Sequence, residues 1–325
     1  MALKHTFVST APEGGNAALV RTSNWNADHA IDSGGITIPA NTSTPASPPA
    51  DNVTIFCREI ANRAMPAFVG PSGLDTTLQP LLARNKVAFW NPAGNSNAAP
   101  AVFGLGALTV VSGGGATLTA RNIATTNILT RMKRVGIVSG TNAGDMASIR
   151  NPAAQYTVGD GAGLGGFQFI CRFATSDAAT VTGARAFVGF TSATTAPTNV
   201  QPSTLTNCIG VAQLSTDATQ WYLVFGGSAA QTPIALGTAL GAPTLVNTAF
   251  ELALFSAPAL NGVINYEVYN LGNGVKVTGT LTPATAGVQT PLASTLLAER
   301  AWRTNNAQNQ AVGIDIISIY IETDQ

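Results

Sequence analysis

Apolar and polar residues alternate with a period of two through much of the chain beyond residue 104. Phe167, Phe169, Cys171 and Phe173 fall on one side of such a run, Gln168 and Arg172 on the other. Phe250, Leu252 and Leu254 alternate with Glu251 and Ala253. Ile264, Tyr266 and Val268 alternate with Asn265, Glu267 and Tyr269. A period of two predicts half-buried β-strands. Turn residues separate these runs at the roughly 8–12-residue spacing of a sandwich or barrel. Leu271-Gly272-Asn273-Gly274 is a hairpin signal, with residues 275–278 returning from it. Two runs break the alternation. Trp221-Tyr222-Leu223-Val224-Phe225 is apolar on both faces, so at least one of its rings must be buried. Residues 314–321 are also apolar on both faces. Such a run is either a central strand or a strand covered by a neighbouring subunit. No βαβ rhythm, fixed repeat or long heptad stretch appears.

Upstream the pattern is less regular. Residues 53–59 and 86–90 read as strands. Asp75 is placed to cap a short helix through Leu78, Leu81 and Leu82, with Pro80 limiting its start. Residues 36–52 hold Pro39, Pro45, Pro48 and Pro49 and no charge before Asp51, which predicts an extended spacer. Residues 1–35 are rich in Gly, Asn and Ala and carry one Trp. The expected organisation is an attachment segment over 1–35, a linker over 36–52, a small connecting domain over 53–103 and a β-sandwich over 104–325.

Composition narrows the partners. Of 325 residues, 45% are hydrophobic and only 10% charged, against roughly 25% charged in typical domains. The polar surface must therefore come from Ser, Thr, Asn and Gln, which suits permanent packing against neighbours. Net charge is zero, so no basic field exists to displace counterions from nucleic acid. Arg131, Lys133 and Arg134 read as a solvated strand edge. Cys57, Cys171 and Cys208 are too few and too scattered for a disulfide framework or a metal site. No apolar leader follows Met1, and no run of 18 apolar residues offers a membrane span.

Catalytic chemistry is hard to find. Gly161, Gly163 and Gly166 satisfy G-x-G-x-x-G, but a strand follows where a dinucleotide site needs a helix, so this reads as a loop. The two histidines, His5 and His29, both lie in the N-terminal segment, which lacks the rigid support a triad needs. Asp160, Asp177, Asp217 and Asp315 share no motif. The expectation is a protein without catalytic residues, cofactor or metal.

Three phrases carry a family resemblance. L-V-R-x-S-x-W-N-A-x-H stands at residues 19–29. A second phrase covers 58–67 and 70–80. A third is spread over 165–167, 185–189, 205–210 and 320–324. Together they resemble bacteriophage tail and tail-fibre proteins. The resemblance implies a virion protein that attaches to other virion proteins through Arg21, Trp25, Asn26 and His29. It further implies a small connecting domain and a C-terminal, lectin-like jelly-roll β-sandwich, usually in a homotrimer. A short tail fibre contacting a host-surface glycan is the leading reading. A purely architectural subunit, a polysaccharide depolymerase and a non-viral lectin are the alternatives. Trp302, between Arg300 and Arg303 in a polar stretch, reads as the exposed ring for a glycan contact. Neither nucleic-acid binding nor membrane insertion is expected.

Overall fold

The computed structural model describes residues 37–41, 43–49, 52–70, 86–92, 108–113, 115–177, 181–243 and 247–323. It adds the backbone of strands at 2–3, 29–30, 75–77 and 102–103. Arg21, Trp25 and Asn26 lie outside the described residues. At His29 the backbone alone is described, paired antiparallel with Leu3.

The chain divides into two compact units. One comprises residues 1–59 and 64–78, the other 60–63 and 79–325. The first holds a four-stranded sheet in the order Ala40–Asn41, Thr54–Ile60, Arg63–Val69, Asp75–Thr77. Phe56, Ala67 and Val69 form its small core. Asp75–Thr77 form a strand on Ala67–Val69, so Asp75 caps no helix there; Leu78, Leu81 and Leu82, over which the helix was expected, lie outside the described residues. Thr76 and Thr77 are β-branched and fit a ladder better than a helical first turn. The central hairpin turns through Ala61 (φ 49°) and Asn62 (φ 58°), the left-handed pair of a two-residue type I′ loop. This tip, residues 60–63, is grouped with the second unit.

The second unit is a β-sandwich, as the alternation predicts. One sheet runs Thr117–Ala120, Val135–Val138, Gly313–Thr323, Phe167–Thr175, Phe250–Ser256, Ile264–Asn270, Lys276–Leu281. Two further strands complete its nine: Lys86–Trp90 pairs with residues 319–323, and Val102–Phe103 pairs with Lys86–Trp90. Residues 86–90 thus belong to the sandwich, not to a separate connecting domain over 53–103. The other sheet runs Ile234–Ala235, Asp217–Gly226, Cys208–Leu214, Arg185–Thr191, Ala298–Thr304, Met146–Arg150, Thr109–Gly113. All pairings in both sheets are antiparallel.

The two inner faces share one core. Phe190 of the seven-stranded sheet meets Phe167 and Phe169 of the nine-stranded sheet at 4.8 and 4.7 Å between ring centroids. Trp221 meets Phe173 and Phe250, each at 5.4 Å, edge to face. Such tilted pairs add to the area they bury. Among the described residues there is no α-helix, only 3-10 turns at Pro202–Thr204 and Thr238–Leu240.

The two-sided strand has an internal explanation. Register shifts by one residue where Arg172 faces Ser318 and Phe173 faces Ile316, leaving Ile317 unpaired in a β-bulge. Ile314, Ile316, Ile319 and Ile321 therefore all reach the inner core. Ile317 turns to the outer face and packs with Leu129, Ala174 and Ala249. Gly313–Thr323 is a central strand covered on both faces by its own chain. The expectation of a homotrimer, so far as it rested on this strand needing a neighbour, loses its basis.

Candidate functional site

A cavity of about 220 Å³ opens against one end of the nine-stranded sheet. Arg63, Gln168, Phe255, Pro258, Glu322 and Thr323 are among its walls. Strand phase places them there. Phe167 and Phe169 point into the core, so Gln168 between them points out. Its partners in register are Glu322 on one side and Phe255 on the other. The three side chains make a row across three strands. Thr323 Oγ1 donates to the carbonyl of Gly166 at 2.9 Å, pinning the strand end.

Arg63 lies across this row. Its two terminal nitrogens donate to the two carboxylate oxygens of Glu322, both at 3.0 Å, a fork geometry that Arg suits better than Lys. Its guanidinium carbon stands 5.6 Å from the ring centre of Phe255. The side chain thus meets the residues that flank Gln168 on either side, and all three line the cavity with it. Tyr320 donates its hydroxyl to Glu322 at 3.0 Å. Burial first, and then the Glu322 charge, push the Tyr320 phenol above its ordinary range. The hairpin tip is tied down by Asn62, which donates to Asn265 Oδ1 at 2.7 Å.

Gln168 is the odd member. It is 1% exposed, yet neither its Nε2 nor its Oε1 has a hydrogen-bond partner. A buried amide left unmet costs about 1–3 kcal/mol per group, so a fold retains one only with a reason. Arg63, Gln168 and Glu322 were not singled out by the sequence as a site. Gln168 was legible only as the outward position of an alternating strand. Nothing in the sequence links residue 63 to residues 168 and 322.

Trp302 does not line this cavity, and the structure corrects its assignment. It is 1% exposed and stacks on Phe187 at 6.4 Å, within a cluster that includes Met146, Cys208 and Val224. Every residue of Ala298–Thr304 is buried. The charges that made this stretch read as surface are satisfied inside: Arg303 pairs with Asp177, and Arg300 donates to the carbonyls of Ala193 and Thr195. Its ring has no open face for a sugar. Trp221 is also buried in the core.

Among the described residues no three His, Cys, Asp or Glu side chains gather as metal ligands. No helix is long and apolar enough to cross a membrane. Gly161–Gly166 form a loop, with the Asp160 carboxylate accepting from the amides of Ala162 (2.7 Å) and Leu164 (3.0 Å).

No protein-family model matches the chain, and no curated protein matches it. Among solved structures it is similar to a protein of unknown function from Shewanella oneidensis MR-1, at 13% identity and TM-score 0.44, over 74% of this chain and 86% of that one. It is similar to peanut lectin at 9% identity and TM-score 0.47, over 74% and 97%. It is also similar to arcelin-5, a lectin-like defence protein from Phaseolus vulgaris, at 9% identity and TM-score 0.45, over 74% and 99%.

Proposed function

We propose that this chain is a bacteriophage tail-associated virion protein whose β-sandwich binds saccharide on the host surface. The observation that carries the binding role is the cavity lined by Gln168, whose buried amide has no hydrogen-bond partner. Concave sites with a few convergent polar groups are where small ligands bind. Binding is preferred to cleavage because Glu322 is the single carboxylate among the described residues lining the cavity, and Arg63 already holds it. Glycoside hydrolysis ordinarily needs two flanking carboxyl groups. The virion role is supported by the sequence resemblance. Arg21, Trp25, Asn26 and His29 are the residues proposed to attach the chain to other virion proteins.

Two measurements test this reading. The purified full chain, fluorescently labelled, should adsorb to host cells and lose adsorption after periodate treatment of their surface. Mass spectrometry should find the intact chain in purified particles, and not after deletion of residues 1–35. Adsorption indifferent to periodate opposes the saccharide role. Normal incorporation of the truncated chain opposes the attachment role.

A further inference from the structure

We infer that the cavity takes a neutral sugar through a pair of vicinal hydroxyls, held by the Gln168 amide once the Arg63 side chain lifts. This rests on the saccharide-binding reading above and names its ligand class, its specificity-determining residue and its gate.

The hydrogen-bonding inventory sets the ligand class. A glutamine amide offers N–H donors and a carbonyl acceptor side by side. In this chain both ends are unmet at once. The matching group must present an acceptor and a donor on adjacent atoms. Two neighbouring hydroxyls do so, because each can donate or accept. An acetamido group does not, because the N–H and C=O of a trans secondary amide point in opposite directions.

Charge removes the acidic sugars. Arg63 is the single cation among the described lining residues, and in the closed form both its terminal nitrogens are committed to Glu322. With Arg63 swung clear, a ligand carboxylate or phosphate would meet the uncompensated Glu322 carboxylate beside the amide.

Access identifies the gate. Arg63 reaches from Glu322 to Phe255, the two register neighbours of Gln168, and the amide beneath is sealed from solvent. A sugar can meet the amide only if Arg63 swings clear. Glu322 then keeps the hydroxyl of Tyr320. The closed form leaves the amide unpaired but keeps the Arg63–Glu322 pair, so the sugar's hydrogen bonds to the amide must offset the loss of that pair.

The test uses the full chain and calorimetric titration with methyl α-glucoside, methyl α-galactoside and methyl α-mannoside, with glucuronic acid as the charged control. At least one neutral glycoside should bind and glucuronic acid should not. Gln168→Leu should weaken that binding at least about tenfold, the scale of one or two hydrogen bonds, with its melting temperature unchanged or raised. Arg63→Ala should bind as tightly as the wild type or more tightly. A sugar that binds the wild type and Gln168→Leu equally overturns this inference while leaving saccharide binding at another site. Preference for glucuronic acid overturns it also. No binding of any neutral glycoside, with periodate-sensitive adsorption intact, overturns the inference but not the broader reading. Loss of both removes the two together. A Gln168→Leu variant that loses stability without any sugar having bound shows a structural amide bridged by water, and also overturns it.

Discussion

Arg303 and Asp177 form an ion pair from which both side chains are wholly excluded from solvent. Arg303 Nε donates to Asp177 Oδ1 at 3.0 Å, and a second contact joins its terminal nitrogen to Oδ2. Gln213 accepts from the other terminal nitrogen at 2.6 Å. The amide of Gly313 donates to the same aspartate at 2.9 Å. One carboxylate thereby ties a strand of the seven-stranded sheet to the start of the last strand of the nine-stranded sheet. Asp177→Asn keeps the shape and strands a buried guanidinium. The expected loss is about 3–5 kcal/mol, read as a lowered midpoint in urea unfolding.

Glu299 is the opposite case, a buried carboxyl without a partner. It is 2% exposed, and neither oxygen accepts a hydrogen bond. Burial pushes its pKa up to about 7, against the smaller opposing effects of its own backbone amide and then of Asn151. The folded state therefore holds a proton that the unfolded state releases. This contribution is complete below the ordinary carboxyl range and is lost as pH rises from about 4.5 to 7. Above pH 7 its full cost is roughly 3 kcal/mol, from the size of the shift. Glu299→Gln should raise the melting temperature at pH 8, have little effect at pH 4, and flatten the slope between. A mutant curve parallel to the wild type across that range would refute the assignment.

Trp302→Ala should act as a core substitution. Removing a ring packed on Phe187 costs about 3–5 kcal/mol, and Trp302→Phe should cost less. Adsorption to host cells per folded molecule should stay unchanged in both, measured at a temperature where each remains folded.

The three cysteines are free and buried. Burial raises the thiol of Cys171 well above its ordinary range and pushes that of Cys208 up to about 12. Because the thiolate is the reactive form, a thiol reagent at pH 8 should leave both untouched in the native chain. Both should react in denaturant. Rapid native labelling of Cys171 or Cys208, mapped by peptide mass spectrometry, would contradict the packing described.

The strands of the sandwich were legible wherever one face met the core and the other met polar surroundings. In Phe167–Thr175, Phe250–Ser256 and Ile264–Asn270 the apolar positions of the alternation are the ones that enter the core, although Gln168, Asn265 and Glu267 opposite them are buried as well. Two kinds of feature were not legible. Residues 298–304 look polar because Glu299, Arg300 and Arg303 are charged, yet all three are buried, and the two arginines find their partners far along the chain. Asp177 stands 126 residues from Arg303. The candidate cavity is equally non-local: Arg63 reaches Glu322 across 259 residues. Period and propensity act over a few residues and carry no trace of such pairings. The short strand Asp75–Thr77 was misread because its ladder partner, Ala67–Val69, outweighs a capping signal.

The bulge at Ile317 makes the last strand a device for keeping count. Upstream of it, even-numbered residues face the core. Downstream, odd-numbered residues do. A one-residue deletion there would rotate half the strand. Either Asp315 would enter the apolar seam and leave Arg121 and Arg134, or Tyr320 and Glu322 would turn inward and dismantle the cavity wall. Any chain of this fold that lacks the extra residue must have rewritten the polarity of one half of its terminal strand, so the position is a fixed mark against which distant sequences can be aligned.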